Sequence, residues 1–133
     1  MSATILSSSP LIAMIPTRDR AHAQAFYEGT LGLRLLSADP FALEFDAHGT
    51  HLRVTTVPEL TPHKFSVLSW YVKDMTATIA GLSQAGVKFE IFGGIPQDAR
   101  GIWTSPDGTQ VAWFKDPDGN LLGIAQRAAS RSR

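Results

Sequence analysis

The sequence predicts an α+β chain made of two successive βαβββ units, and three observations carry that prediction. The order strand, helix and three strands is readable twice, over 11–57 and again over 65–126. Helix start and stop residues recur at nearly constant offsets, since Asp19 and Asp74 lie 55 positions apart and Gly32 and Gly86 lie 54 apart. The chain then closes on Asp116-Pro117-Asp118-Gly119-Asn120, where Pro presets φ for a turn and Gly supplies the positive φ that follows.

Each element has its own justification. Residues 11–15 are an apolar run that Pro16 ends, which suits a buried strand. Thr17 or Asp19 caps the next helix, Ala21, Ala25, Phe26 and Leu31 form its apolar stripe, and Gly29 and Gly32 fit its end. Strands are expected at 33–37, 41–46 and 51–57, separated by Ala38-Asp39-Pro40 and by Asp46-Ala47-His48-Gly49. A linker follows at 58–64. The second unit runs as strand 65–72, helix 74–85 stopped by Gly86, strand 87–92 and the closing hairpin. Alternation along that hairpin puts Ala112, Phe114, Leu122 and Ile124 on one face and Val111, Trp113, Leu121 and Gly123 on the other. The long connection 93–101 is expected to be a mobile loop at the mouth of a site. The Ser-rich lead 1–10 and the Arg-rich tail 127–133 complete the chain, the latter read as a solvated, frayed end.

Composition narrows the function classes. Hydrophobic residues make up 44% and charged residues 18%, an ordinary globular balance that excludes a disordered or fibrous chain. Twelve basic and twelve acidic side chains cancel, so nothing in the net charge favours nucleic acid or an anionic membrane. The start Met1-Ser2-Ala3-Thr4-Ile5-Leu6 has neither a basic lead nor a long apolar run, and a cytoplasmic location is the expectation. The absence of cysteine removes disulfides, thiolate metal sites and a cysteine nucleophile.

Four stretches together resemble the vicinal oxygen chelate superfamily, which contains glyoxalase I, bleomycin-resistance proteins and extradiol dioxygenases. They are Ala25-Phe26-Tyr27-Glu28-Gly29-Thr30-Leu31-Gly32-Leu33, Val72-Lys73-Asp74, Gln84-Ala85-Gly86-Val87 and Asp116-Pro117-Asp118-Gly119-Asn120. The resemblance implies paired modules whose eight strands curl around a cup, and a homodimer. In the family's metalloenzymes a side chain from the first and last strand of each module ligates the metal. Those places fall at Ile12, Arg53, Val67 and Gly123, none of which is an ordinary ligand for a divalent cation. The resemblance with this departure implies no metal and no other cofactor, and disfavours metal-dependent glyoxalase or dioxygenase activity.

Alternation outward from those places gives the expected ligand-binding residues: Met14, His51, Arg53, Ser69, Tyr71 and Trp113, with Trp103 covering the ligand from beside the loop. Met14 either lines a pocket or merely fills the interior. Arg53 captures a ligand carboxylate or phosphate, or is paired by Glu44 on the neighbouring strand, or sits at the rim. Trp113 and Tyr71 are flat walls for a planar ligand, or else core or interface residues. His51 is a proton carrier or a plain strand-end residue. Ser69 has no recognisable base and orienting acid, so it reads as a polar liner. Two function classes follow: a protein that binds or sequesters a small apolar or aromatic molecule, or an enzyme of the same fold, metal-independent or with displaced metal ligands. A third, structural or interaction role would leave the interior plugged by its own side chains.

Overall fold

Asp19 and Asp74 stand in extended backbone just ahead of their helices, and each accepts a first-turn N–H, from His22 and Ala77 respectively. Of the two expected caps for the first helix, Asp19 is therefore the one that serves. The chain exits at Gly32 and Gly86 with φ of 78° and 98°, a left-handed conformation that glycine adopts without penalty. In the computed structural model, which describes residues 5–128, these helices belong to two compact units, Met1–Leu60 and Thr61–Arg133.

The first unit contains β1 (Ile12–Thr17), α1 (Arg20–Gln24) continued by a π-helical turn (Ala25–Thr30), β2 (Arg34–Ala38), β3 (Ala42–Ala47) and β4 (Thr50–Thr56). The second contains β5 (Leu68–Tyr71), α2 (Met75–Gln84), β6 (Trp103–Thr104), β7 (Gln110–Lys115) and β8 (Leu121–Gln126). Strand pairing gives two separate four-stranded sheets, ordered β1-β4-β3-β2 and β5-β8-β7-β6, neither of them closed. In each sheet the first strand of the unit lies parallel to the last and the remaining pairs are antiparallel. The α+β class and the repeated βαβββ order are thus both present.

One face of each sheet carries the core. Ile15, Leu43, Phe45, Leu52 and Val54 are at most 2% exposed, and the Tyr27 ring from the π-helical turn tilts onto Phe45 with centroids 5.9 Å apart. In the second unit Ala112, Phe114, Leu122 and Ile124 are buried to the same degree, joined by Met75 and Ile79 of α2. This is the hairpin face that alternation assigned inward, and the register Ala112↔Ile124 and Phe114↔Leu122 runs without a bulge.

Several expectations need correction. β1 continues through Pro16 instead of ending there, because β1 is an edge strand where a missing N–H breaks no ladder. The first helix is α-helical for only five residues before Leu31 N–H bonds back to the Phe26 carbonyl, five positions away, and widens the turn. The strand expected at 87–92 shrinks to one bridge, Phe89↔Phe114, with Glu90 N–H bonding the Trp113 carbonyl. Pairing with β7 resumes only at Trp103, after the loop 93–101. There Gln97 accepts the Phe92 N–H and donates to the carbonyls of Glu90 and Gly101. Burial pushes the Asp98 carboxyl up, but the N–H groups of Ile102 and Arg100 and the Arg100 guanidinium outweigh it and hold it below the ordinary value. A second hairpin, Ser105-Pro106-Asp107-Gly108-Thr109, escaped the sequence reading although it spells the same turn chemistry as the closing one. Of the tail taken as frayed, residues 129–133 lie outside the described residues, whereas the Arg127 guanidinium sits 4.0 Å above the Tyr71 ring. Of the lead, residues 1–4 lie outside them too.

The closing turn is held from inside. Asp116 is 6% exposed, its Oδ1 accepts the N–H groups of Asp118 and Asn120, and its Oδ2 accepts Asn120 Nδ2. Asp116→Ala strands these buried donors, and a loss of about 2–4 kcal/mol in equilibrium denaturation is expected, with a smaller loss for Asp116→Asn. A change under about 0.5 kcal/mol for the alanine variant would show that the turn does not depend on this carboxylate. Asp39 tests the same chemistry at the surface. The N–H of Phe41, then that of Ala42, hold its carboxyl below the ordinary 3.8. A depressed folded value contributes stability above the unfolded value and loses it as pH falls through the folded one. The melting-temperature advantage of wild type over Asp39→Asn should accordingly fade as acid titrates the carboxyl; a difference independent of pH would refute the linkage.

Candidate functional site

Each sheet leaves one face free of helix, and the expected site residues fall on those two faces. On the first sheet, the parallel register places Met14 beside Arg53 and Ile12 beside His51. Met14 is 63% and Ile12 51% exposed, so this face is not plugged by its own aliphatic groups. Glu44 lies opposite Arg53 on β3 and serves two partners at once. Its Oε2 accepts from Arg53 Nη1 at 3.1 Å, while its Oε1 lies 3.0 Å from His51 Nδ1. Among the alternatives open for Arg53, pairing with Glu44 is the arrangement present. The contact orients the half-exposed His51 imidazole against the Glu44 carboxylate.

The free face of the second sheet is aromatic. Trp103 pairs with Val111 and so shares a face with Trp113, their ring centroids 6.5 Å apart. Phe92 meets the Trp113 ring edge to face at 5.5 Å. Trp103 is therefore part of the sheet surface and not a cover above it. Ser69 and Trp113 flank Gly123 from the two neighbouring strands. A Cβ at position 123 would stand 2.9 Å from Ser69 Oγ and 3.5 Å from Trp113 Cδ1, so the missing side chain is what lets the hydroxyl and the indole approach. Tyr71 is 69% exposed at the end of β5, between a hollow of about 160 Å3 lined by Ser69, Trp70 and Ala125 and another of about 330 Å3 lined by Asp107, Thr109 and Arg127. Trp70 pairs with Ile124 and so faces the helix side.

Three residues of this surroundings went unread in the sequence: Phe92, Lys64 and Lys115. Lys115 pairs with Leu121 and has the parity of Val111 and Trp113, so alternation extended by one step would have found it. Phe92 was assigned to a strand that the loop displaces, and no local signal marked Lys64.

The four places that the resemblance assigns to metal ligands do not fit one. Ile12 and Val67 offer alkyl groups, Arg53 offers a permanent cation already engaged with Glu44, and Gly123 offers no side chain in a place filled by Ser69 Oγ. Among the described residues no three His, Cys, Asp or Glu side chains are grouped so as to hold a metal ion elsewhere. Calorimetric titration with Zn2+ or Ni2+ should give only weak binding without defined stoichiometry. A tight one-to-one site would refute the misfit.

The comparisons with known proteins agree with this fold. The family model described as Glyoxalase/Bleomycin resistance protein/Dioxygenase superfamily matches residues 11–124. Among solved structures, a glyoxalase/bleomycin resistance protein/dioxygenase from Alicyclobacillus acidocaldarius is 19% identical, with 93% of this chain and 95% of that chain covered and a TM-score of 0.69. Lactoylglutathione lyase from Agrobacterium tumefaciens is 15% identical, with 90% and 93% covered and a TM-score of 0.69. TnmS3, an antibiotic binding protein from Streptomyces sp. CB03234, is 26% identical, with 91% and 97% covered and a TM-score of 0.68. No curated protein matches. With the family model spanning nearly the whole described chain and the repeated βαβββ order present in both units, the chain belongs to the glyoxalase/bleomycin resistance protein/dioxygenase superfamily.

Proposed function

We propose that this protein captures a small apolar or aromatic molecule by complementarity, without chemistry, on the aromatic face of its second sheet. The observation that carries the reading is the Phe92, Trp113 and Trp103 cluster beside Gly123 and Ser69, a group of tilted aromatic rings with one hydroxyl at a place where the resemblance implies a metal ligand. The antibiotic-binding relative, the one of the three above 25% identity, supports the same direction. The protein acts as a homodimer in this reading, since both sheets have unpaired edges and their free faces expose Ile12, Met14 and Tyr71. A cytoplasmic setting goes with it, and no described helix is long and apolar enough to cross a membrane.

The contact of His51 with Glu44 favours one second reading, a metal-independent lyase or isomerase in which His51 moves a proton and Arg53 and Tyr71 position the substrate. The two readings separate in solution. Phenazine, a neutral planar probe, should quench tryptophan fluorescence and bind saturably, and Trp113→Leu should weaken it about tenfold, as loss of one stacking surface does. A dialdehyde-thiol turnover assay should show no rate above buffer. Unchanged phenazine affinity in the variant would remove Trp113 from the reading, and turnover that disappears in His51→Ala would move the protein to the enzyme class.

A further inference from the structure

The second unit contains a cleft of about 480 Å3 at the hairpin end of its sheet, lined by Pro62, His63, Lys64, Phe92, Lys115, Gly119 and Leu121. Its walls are apolar. Leu121 is 6% exposed and forms the floor, and Phe92 is braced edge-on by Trp113. Pro62 lies against the closing turn so closely that a Cβ at Gly119 would stand 3.4 Å from its Cγ. The rim is cationic. Lys115 Nζ is 3.9 Å from Glu90 Oε1 with half its side chain exposed, a loose balance, and among the described residues no carboxylate stands within ion-pair distance of Lys64. No residue lining the cleft is acidic.

From this arrangement we infer that the cleft binds a planar organic anion, a ring-bearing carboxylate, with its ring on Phe92 and Leu121 and its charge between Lys64 and Lys115. The volume suits two or three fused rings and lies in the ordinary range for small-molecule sites. Inorganic phosphate alone would leave the apolar walls in water, and a neutral hydrocarbon would gain nothing from two ammonium groups whose field falls off with salt. The two cations therefore select charge, while the walls select shape. The cleft shares Phe92 with the aromatic cluster, and Lys115 and Leu121 carry the parity of the same sheet face, but Trp113, Trp103 and Ser69 do not line it, so the charge selection inferred here is tested apart from the binding of a neutral compound there.

The test pairs 2-naphthoate with 2-naphthamide, which have the same ring system and differ in charge, in calorimetric titrations of wild type and the Lys64→Gln/Lys115→Gln double variant. Wild type should prefer the naphthoate by about tenfold, as a charge-assisted contact predicts. That preference should vanish in the double variant and shrink as sodium chloride is raised. Amide shifts in NMR spectra should move at Lys64, Lys115, Gly119 and Leu121. Equal affinity for the two compounds, no binding of either, or a preference that survives the double substitution would overturn the inference. Shifts confined to Ser69, Tyr71 and Ala125 would overturn it too while leaving the aromatic face as a binding surface, so the two readings fail separately. Both lysines are on the surface, and an unchanged dispersion of the remaining amide peaks verifies that the variant is folded.

Discussion

The parallel contact between the first and last strand of each unit is the constraint on which the rest of the molecule depends. With β4 parallel to β1 and the pairs β4-β3 and β3-β2 antiparallel, β2 runs the same way as β1, and β6 likewise the same way as β5, so the chain must leave β1 and β5 by a crossover, whose helix covers one face of the sheet. Three further strands then return by short antiparallel steps. The helix-covered face must be apolar throughout, and Leu52, Val54, Leu122 and Ile124 show that it is. The other face is relieved of that duty. Side chains there are set by what they meet, which is why Arg53, Glu44 and His51 sit on one such face and Trp103, Trp113 and Ser69 on the other.

Legibility in the sequence followed from how local each determinant is. The closing hairpin was fully readable, because an uninterrupted two-residue period and an Asp-Pro-Asp-Gly turn fix both register and face over adjacent residues. The helix starts were readable to within a residue or two, with Thr17 and Asp19 both open as caps of the first and the structure selecting Asp19. The outer edge of the second sheet was not. There the strand is split into a bridge at Phe89 and a pair at Trp103, and the intervening loop is held by Gln97 reaching backbone groups up to seven positions away. No periodicity encodes such a detour. Pro16 was misread because its cost depends on whether the strand is an edge, which only the sheet order decides.

The site divides along the same line. The faces of Met14, His51, Arg53, Ser69, Tyr71 and Trp113 came from alternation, and the strand registers keep the residues of each strand on one face, whereas Trp103 was read as a cover beside the loop and stands in a strand instead. The partners did not come from alternation. That one carboxylate of Glu44 serves both His51 and Arg53 depends on a diagonal reach across two strands, and the pairing was only one of several options in the sequence. Gly123 shows the reverse situation. Its identity is plain in the sequence, yet its meaning is steric and appears only when Ser69 Oγ and the Trp113 indole are seen filling the space of a side chain.

The two faces differ most in how their charge is balanced. On the first, Arg53 and Glu44 side chains are 34% and 23% exposed, a partly screened pair of the kind worth about 0–1 kcal/mol. So small a contribution does not lock Arg53, but an incoming carboxylate would have to displace one already in hydrogen-bond contact, and it would leave Glu44 with only His51. In the cleft of the second unit, Lys64 has no carboxylate within ion-pair distance among the described residues and Lys115 only a distant one. The same net-neutral chain thus carries a sheet face on which Arg53 and Glu44 pair with each other and a cleft whose lysines are at most loosely paired among the described residues, and the anion selectivity inferred above belongs with the cleft.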